Sequence, residues 1–376
     1  MVYVIRSEDR ESFKRCRRAW DFGSRARQNY EPSMPARVFD FERAIHDALA
    51  IYYFPGMWEW ERAIVLPLAL EGFLKSMHKQ RAAHVEAQAL CADEEKQWNE
   101  YLQLGEAMLK RYFDWAPRVD RFCPIRIETE FDVNIPDPSC VDRDLALPAG
   151  VPIRYRGRVD LLVVDANDAY WLVDHRTVLG LWEDIEELVL DERGVSYGWA
   201  WENFFLGMRV AGTLYNELRI DTAERPTAPA QARVGEPQGF EQESAAQHRR
   251  MYAHAKQGRS PELNTQSNDY FRRTQIPRSR AELANAGKQL ALEALDMTNP
   301  ELSLYPNPSR ENCGHCPYRK PCIAINDGSV PGPILKSWYR KRGDEQIEQG
   351  RLGGSTWSID RGAMPPKFGP KMPSRH

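Results

Sequence analysis

The central third of the chain alternates apolar and polar residues in the way that is typical of β-strands. In IRIETEFDVNI, residues 125–135, the apolar residues alternate with Glu128, Glu130 and Asp132, which predicts a strand with one buried face. Two further apolar runs follow, IRYRGRVDLLVVD at 153–165 and AYWLVDHRT at 169–177. The short Ala-Asn-Asp segment between them favours a tight turn, so the two runs predict a β-hairpin.

Apolar residues at helical spacing characterise the segments on both sides of these strands. In FDFERAIHDALAIYYF, residues 39–54, this spacing predicts an amphipathic helix with Glu42 and His46 one turn apart on a neighbouring face. Residues 56–120 are polar, rich in aromatic residues and free of strand alternation, which predicts a helical insertion. Two later segments also predict helices, 184–218 and 280–298.

Two segments lack any such periodicity. Residues 221–240 are rich in Pro, Ala and Gly and predict a mobile loop. Residues 326–376 are rich in Gly and Pro and predict an irregular or disordered tail that is available to a protein partner. We expect residues 1–325 to form one α/β domain, with a mixed central β-sheet flanked by helices.

Composition places the chain among globular proteins, because 42% of its 376 residues are hydrophobic and 11% are aromatic. The start resembles no signal peptide and no run of eighteen apolar residues occurs, so we expect a cytoplasmic protein without a membrane segment. Seven cysteines, an odd number, suit a reducing compartment. The net charge of −3 gives no global electrostatic case for nucleic acid, although residues 6–27 carry eight Lys or Arg against four Asp or Glu.

The predicted hairpin brings two carboxylates together. If its turn is centred on Asn167, Asp160 lies opposite Asp174 and Arg158 lies opposite Arg176. Like charges in such a pair are destabilising, so a cation is expected between the two aspartates. The cation is either a metal ion that prefers oxygen ligands, such as Mg²⁺ or Mn²⁺, or simply the neighbouring arginines of a surface hairpin.

The segment CGHCPYRKPC, residues 313–322, places three cysteines within ten residues. Three interpretations remain open at this point. A zinc ion bound by the three thiolates and His315 or a distant group is chemically reasonable. An iron–sulfur cluster requires a fourth thiolate from elsewhere in the chain. Cysteines without any ligand are the third interpretation, although three thiols beside Gly and Pro argue against it.

Several short segments, in a fixed order, resemble motifs of the PD-(D/E)XK nuclease superfamily. GRVD at 157–160 and VDHRT at 173–177 resemble its active-site hairpin, and AIHDAL around His46 is similar to the histidine motif of its RecB-like members. Cys16 in SFKRCRRAW, together with the later cysteine cluster, resembles the iron–sulfur signature of RecB-like CRISPR-associated exonucleases and AddB nuclease domains. The resemblance extends from about residue 7 to 325 and implies a restriction-endonuclease-like core.

The resemblance implies a role for the matching residues. The expected ligands of Mg²⁺ or Mn²⁺ are His46, Asp160 and Asp174. One of Glu128 and Glu130 is expected to be a further catalytic carboxylate beside them. A four-iron, four-sulfur cluster is expected to clasp residues 7–27 to residues 310–325 through four thiolates: Cys16, Cys313, Cys316 and Cys322.

The chain departs from the family pattern at two positions. Arg176 stands where the family has a catalytic lysine; it keeps the positive charge but cannot act as a base. Tyr197 matches the tyrosine of a Gln-x-x-x-Tyr motif, whereas Arg193 stands at its glutamine. Both arginines are therefore expected to modify catalysis rather than metal binding.

Two functions follow from these expectations. The first is a metal-dependent exonuclease that acts on single-stranded DNA or duplex ends. Basic residues near the cysteine cluster are expected to face the phosphate backbone: Lys14, Arg15, Arg17, Arg18, Arg319 and Lys320. The second, motivated by Arg176 and Arg193, is a catalytically degenerate nuclease fold that acts as a nucleic-acid-binding or assembly subunit.

Overall fold

The computed structural model describes most of the chain, in these segments: 2–34, 39–87, 89–140, 142–180, 182–220 and 264–343. The mobile loop predicted over 221–240 lies outside the described residues. Among the described helices, none combines the length and the apolar character that a bilayer span requires.

A seven-stranded mixed β-sheet forms the centre of the protein. Its strands are β1 (Tyr3–Ile5), β3 (Phe122–Asn134), β4 (Ile153–Asp165), β5 (Tyr170–Leu179), β6 (Val210–Ile220), β7 (Thr265–Ser267) and β8 (Phe271–Pro277). The strand order is β1-β4-β5-β6-β8-β7, and β3 pairs with the other edge of β4. The prediction of a mixed central sheet flanked by helices is confirmed.

The predicted hairpin is β4 and β5, and its register is confirmed by the pairing of Leu161 with Val173 and of Val164 with Tyr170. The carboxylate of Asp165 closes the turn by accepting hydrogen bonds of 2.8 and 3.0 Å from the backbone N–H groups of Asn167 and Ala169. The ladder begins at the turn and ends at Leu161 and Val173. The next pair in this register is Asp160 and Asp174, so both aspartates lie where the two strands separate.

The β5-facing edge of β4 is shared by two strands. β5 pairs with residues 161–164 of β4, whereas β1 pairs in parallel with Ile153, Arg154 and Tyr155. The residues between these two ladders, including Asp160, border a gap in the sheet. The candidate functional site lies at this gap.

Helices cover both faces of the sheet. Their bounds are α1 (Ser7–Arg15), α2 (Arg17–Gly23), α3 (Phe41–Tyr52), α4 (Arg62–Ala87), α5 (Ala92–Val119), α6 (Ile185–Leu190), α7 (Glu192–Phe204), α8 (Arg280–Thr298), α9 (Arg310–Gly314), α10 (Arg319–Asn326) and α11 (Gly332–Trp338). One apolar core lies between α3, α4, α5 and one face of β4, β5 and β6. A second core lies between α1, α7, α8 and the other face.

The predicted helical segment 56–120 is occupied by α4 and α5, which pack on α3 through buried aromatic residues such as Phe73 and Tyr112. The helix predicted over 280–298 coincides with α8. The helix predicted over 184–218 is wrong in its second part, because residues 210–220 form β6. This strand is central in the sheet and buried on both faces, so it lacks the alternation that identifies a half-buried strand.

The irregular tail predicted from residue 326 is wrong for residues 332–341, which form α11 and β9 (Tyr339–Lys341). β9 pairs antiparallel with β2 (Tyr30–Pro32), and Leu335 and Tyr339 are buried against Phe22 and Tyr318. These few apolar residues order the segment despite its Gly- and Pro-rich composition. Residues 344–376 lie outside the described residues.

Candidate metal centre

Three ligand atoms of the type that binds divalent metals converge at the gap in the sheet. One ligand atom from each of His46, Glu128 and Asp160 lies within 4.8 Å of the other two. His46 comes from α3, Glu128 from β3 and Asp160 from β4. Among the described residues, they form the one such group of three.

The backbone of His175 in β5 holds two members of this group. Its N–H donates a hydrogen bond of 3.0 Å to Oδ2 of Asp160, and its carbonyl oxygen lies 2.9 Å from Nε2 of His46. A carbonyl oxygen only accepts, so Nε2 carries a proton, and in the neutral ring Nδ1 keeps its lone pair. Nδ1 lies 3.7 Å from the same Asp160 oxygen, which leaves this nitrogen facing the ligand group.

The position of His46 follows from the amphipathic character of α3. Asp40 caps the helix by accepting a hydrogen bond of 3.0 Å from the N–H of Arg43. Ile45 and Leu49 are fully buried in the core, which turns the neighbouring flank with His46 towards the edge of the sheet. Its ring meets the ring of His175 edge to face at a centroid separation of 5.8 Å.

Glu128 departs from the regular strand geometry of its neighbours. Its φ of 43° lies in the left-handed region, which a non-glycine residue adopts at a cost. Ile127 pairs with Leu161 and Thr129 pairs with Val159, so Glu128 lies opposite Asp160. The strained backbone at Glu128 thus occurs where its carboxylate joins the ligand group.

The electrostatics of Glu128 are dominated by burial. Burial raises the pKa of its carboxyl to about 7, and the charge of Asp160 acts in the same direction. Arg158, whose Nε lies 2.9 Å from the carboxylate, and His46 oppose this increase. The site therefore has a carboxyl group that exchanges its proton near neutral pH.

The other two ligands also have shifted pKa values. Burial lowers the pKa of His46, but nearby carboxylates, Asp160 foremost, raise it further, so the net change is an increase. Burial and the charge of Asp174 raise the pKa of Asp160 more than His46 and Arg193 lower it. This excess of buried negative charge is the environment that a divalent cation would relieve.

Asp174, the third predicted metal ligand, is held by arginines instead. Nε of Arg176 lies 2.6 Å from its Oδ2, and Nη2 of Arg193 lies 3.6 Å from its Oδ1. Burial raises the pKa of Asp174, but the two guanidinium groups outweigh burial and hold it below its usual value. Asp174 borders the ligand group without belonging to it.

Arg176 is enclosed by three carboxylates. Its Nε, Nη1 and Nη2 lie 2.6, 2.5 and 2.6 Å from oxygens of Asp174, Glu183 and Asp191, respectively. Its guanidinium carbon lies 4.7 Å from the centroid of the Tyr215 ring. Each nitrogen of the guanidinium therefore has an acidic partner within the protein.

A pocket opens between the separating strands and α7. The charged side chains that line it are Arg158, Asp160, Asp174 and Arg193, and the Tyr197 ring closes one side. Tyr197 is buried, and its hydroxyl lies 3.1 Å from Oγ of Ser7. The tyrosine thus supports the wall of the pocket.

Of the two glutamates that the sequence leaves open, the structure brings Glu128 to the ligand group. Glu130 is exposed and pairs across the sheet with Arg158. The difference arises from the left-handed backbone at Glu128, which no alternation pattern reveals.

A buried polar network behind the site is not evident from the sequence. Nδ2 of Asn216 lies 2.8 Å from Nδ1 of His175, and Oδ1 of Asn216 accepts a hydrogen bond of 3.2 Å from Nη2 of Arg273. Arg273 also pairs with Asp120 and donates hydrogen bonds to the hydroxyl groups of Tyr53 and Tyr112. These residues are far apart in sequence: the pairing of β6 with β5 and β8 joins Asn216 to His175 and Arg273, and α3 and α5 bring the others.

The four cysteines of the predicted clasp lie near one another. Cys16 lies between α1 and α2, and the other three lie in or beside α9 and α10. Burial raises the pKa of the Cys316 thiol, and the thiols of Cys16, Cys313 and Cys322 act in the same direction. All four cysteines are half-buried, whereas His315 is exposed.

Two of the basic residues predicted to face nucleic acid already have partners in the protein. Lys14 pairs with Glu192 and Glu293, and Nη1 of Arg18 lies 2.6 Å from Oδ1 of Asn326. Lys320 lies over the ring of Trp338 at 3.4 Å, and Arg17 lies over the rings of Phe13 and Tyr305. Basic and aromatic side chains thus alternate beside the cysteine cluster.

Residues 9–323 match the family model of the PD-(D/E)XK nuclease superfamily. No curated protein matches the chain.

Proposed function

Because this chain belongs to the PD-(D/E)XK nuclease superfamily, we propose that it is a metal-dependent deoxyribonuclease that degrades DNA from its ends. The observation that carries this proposal is the convergence of His46, Glu128 and Asp160 at the gap between β4 and β5. The preference for ends follows from the resemblance of the cysteine and histidine motifs to those of RecB-like exonucleases.

The donor set fits Mg²⁺ or Mn²⁺. Two carboxylates and one imidazole match hard divalent ions, and Nδ1 of His46 faces the group while Nε2 is bonded to the His175 carbonyl. Asp174 borders the group on the neighbouring strand and would add a further carboxylate oxygen. The bound ion would polarise the phosphodiester and lower the pKa of a water molecule.

The residues of the chain have separable roles in this hydrolysis. His46 and Asp160 would hold the ion, with Asp174 as the further ligand that the family resemblance implies, and Arg158 holds Glu128 beside them. Glu128, whose carboxyl has a pKa of about 7, is suited to accept a proton from water at neutral pH. Tyr197 forms the wall against which the substrate lies.

A four-iron, four-sulfur cluster is the second part of the proposal, as a clasp between the two ends of the nuclease domain. The donor set fits, because Cys316 and the three thiols around it are all half-buried.

The test is incubation of the purified protein with end-labelled single-stranded and duplex DNA in Mn²⁺ or Mg²⁺, beside a covalently closed circle. We expect linear DNA to be shortened from its ends, the circle to persist, and Asp160→Asn to abolish cleavage. No cleavage by the wild type, or equal cleavage by Asp160→Asn, contradicts the proposal. Cleavage of the circle contradicts only its exonuclease part.

A degenerate nuclease fold that binds nucleic acid is the second candidate, favoured by the two guanidinium groups that neutralise Asp174. It predicts a wild type that binds DNA without cutting it and an Arg176→Lys variant that gains cleavage. A fully active wild type contradicts it.

A further inference from the structure

We propose that Arg193, rather than Arg176, is the cationic catalytic residue that contacts the phosphate undergoing hydrolysis; this inference rests on the proposed nuclease function. Arg176 occupies the lysine position of the sequence motif. Arg193 belongs to a different element, the first turn of α7. The structure separates the two arginines by their partners, their exposure and the space they border.

All three nitrogens of Arg176 already have carboxylate partners. Each binds a different carboxylate, and one face of the guanidinium is covered by Tyr215. A phosphate would have to compete with Asp174, Glu183 and Asp191 for it. The three carboxylates exceed its single positive charge, so the surroundings of Arg176 repel an anion.

The partners of Arg176 also show what it does instead. Asp191 caps α7 by accepting a hydrogen bond of 3.1 Å from the N–H of Arg193, and it accepts a second hydrogen bond of 2.8 Å from the Tyr215 hydroxyl. Arg176 therefore ties the end of β5 to the start of α7 through Asp191. It is a positioning residue that fixes where α7, and with it Arg193, meets the gap in the sheet.

Arg193 has the opposite properties. It lines the pocket that contains Asp160 and Asp174, whereas Arg176 does not. Its Nη2 lies 3.6 Å from Asp174, beyond hydrogen-bonding distance, and its Nε has no hydrogen-bond partner although that atom is buried. The side chain is 39% exposed, so an anion in the pocket reaches it without displacing a protein partner.

The position of Arg193 is fixed by the packing of α7. A Cβ atom on the neighbouring Gly194 would lie 2.5 Å from the hydroxyl of Tyr215, so only glycine allows α7 to approach β6 this closely. One turn later, Tyr197 places its ring 5.4 Å from the guanidinium carbon of Arg193. Both contacts direct the arginine towards the two aspartates.

The chemistry suits a phosphodiester. A guanidinium offers parallel N–H donors that match two oxygens of one phosphate, and it remains charged throughout the pH range of catalysis. It cannot act as a base, so its contribution is stabilisation of negative charge that develops on the phosphate oxygens. In the absence of a phosphate the same charge compensates Asp174, which explains the low pKa of that carboxyl.

The test compares Arg193→Gln with Arg176→Gln in two assays. Single-turnover cleavage of a labelled oligonucleotide is measured in Mn²⁺, and affinity for the same oligonucleotide is measured by fluorescence anisotropy in Ca²⁺. We expect Arg193→Gln to keep its melting temperature and to lose cleavage about 10²–10³-fold, the usual effect of removing one such donor. Its affinity in Ca²⁺ should fall about tenfold or more, and Arg193→Lys should recover part of both losses.

Arg176→Gln should instead melt at a clearly lower temperature, because three carboxylates lose their shared partner. The inference is overturned if Arg193→Gln cleaves and binds within threefold of the wild type. It is also overturned if Arg176→Gln loses oligonucleotide affinity with an unchanged melting temperature. If the wild type cleaves nothing, the nuclease proposal fails, and the anisotropy comparison still decides whether Arg193 contacts the nucleic acid.

Discussion

The carbonyl oxygen of His175 accepts a hydrogen bond of 2.9 Å from Nε2 of His46, and this contact joins helix α3 to strand β5. It fixes the tautomer of His46 and turns Nδ1 towards Asp160. The ring of His175 lies edge to face with the His46 ring and stacks on Tyr53, each at a centroid separation of 5.8 Å. The geometry of the candidate metal centre thus depends on a buried histidine that is not one of its proposed ligands.

Replacing His46 with alanine is expected to weaken metal binding without unfolding the protein. Only one ligand of the proposed set is lost, and the buried face of α3 is unchanged. We expect the affinity for Mn²⁺, measured by isothermal titration calorimetry, to fall at least tenfold, together with loss of DNA cleavage. His78→Ala is the control, because His78 is exposed on α4 and bonds only to the backbone of its own helix. Equal Mn²⁺ affinity in both variants would exclude His46 as a ligand.

Glu128 is expected to make stability fall as the pH rises. Its pKa is raised to about 7 in the folded protein from 4.5, so between these values the native state keeps a proton that the unfolded state has released. The folded protein therefore loses stability through this window, by about 2–3 kcal/mol in total. Urea unfolding at a series of pH values, without added divalent metal, measures the loss.

The Glu128→Gln variant should remove most of this pH-dependent loss, because glutamine has no proton to release. Glu130→Gln serves as the matched control, since Glu130 is exposed on the same strand. If the stability of Glu128→Gln falls with pH as steeply as that of the wild type, another group is responsible and the burial argument for Glu128 is wrong.

The hairpin shows how far sequence reasoning extends and where it ends. Its register follows from a short turn and strict alternation, so the amino-acid pattern alone predicts that Asp160 and Asp174 are neighbours. The separation of the strands beyond Leu161 and Val173 could not be predicted, because it depends on β1 pairing with the same edge of β4. This separation creates the gap that His46 enters from one side and Arg193 from the other.

The other site residues also differ in whether the sequence alone predicts them. Local motifs pointed to His46, Asp160 and the cysteines, since each lies in a short segment of recognisable composition. The choice between Glu128 and Glu130 depended on one left-handed residue, and the sequestration of Arg176 depended on Glu183 and Asp191. Neither feature leaves a local signal, because both arise from packing between distant elements.

Cys16→Ser tests the proposed clasp. The wild type, purified without oxygen, should be brown and contain about four irons per chain, as a cluster held by four thiolates requires. Cys16→Ser should lose most of this iron and melt at a lower temperature, because the proposed cluster would then no longer join the start of α2 to α10.

Two controls make this result specific. Cys140→Ser should keep its iron, because Cys140 is exposed and far along the chain from the cluster motifs. His315→Ala should also keep it, since His315 is exposed beside α9. A colourless wild type with one zinc, or loss of that zinc in His315→Ala, would support the zinc interpretation instead.

Arg273→Met is expected to be among the most destabilising single substitutions in the protein. The arginine is 4% exposed, and its loss leaves the carboxylate of Asp120 buried without its charged partner. Breaking such a pair typically costs about 3–5 kcal/mol, whereas Arg280→Met, at the half-exposed pair with Glu202, should cost less than about 1 kcal/mol. Urea unfolding compares the two. Replacing Asp120 with Leu in the Arg273→Met background should recover part of the loss, because the buried carboxylate is then absent. A cost below about 1 kcal/mol for Arg273→Met would show that the network behind His175 contributes little to stability.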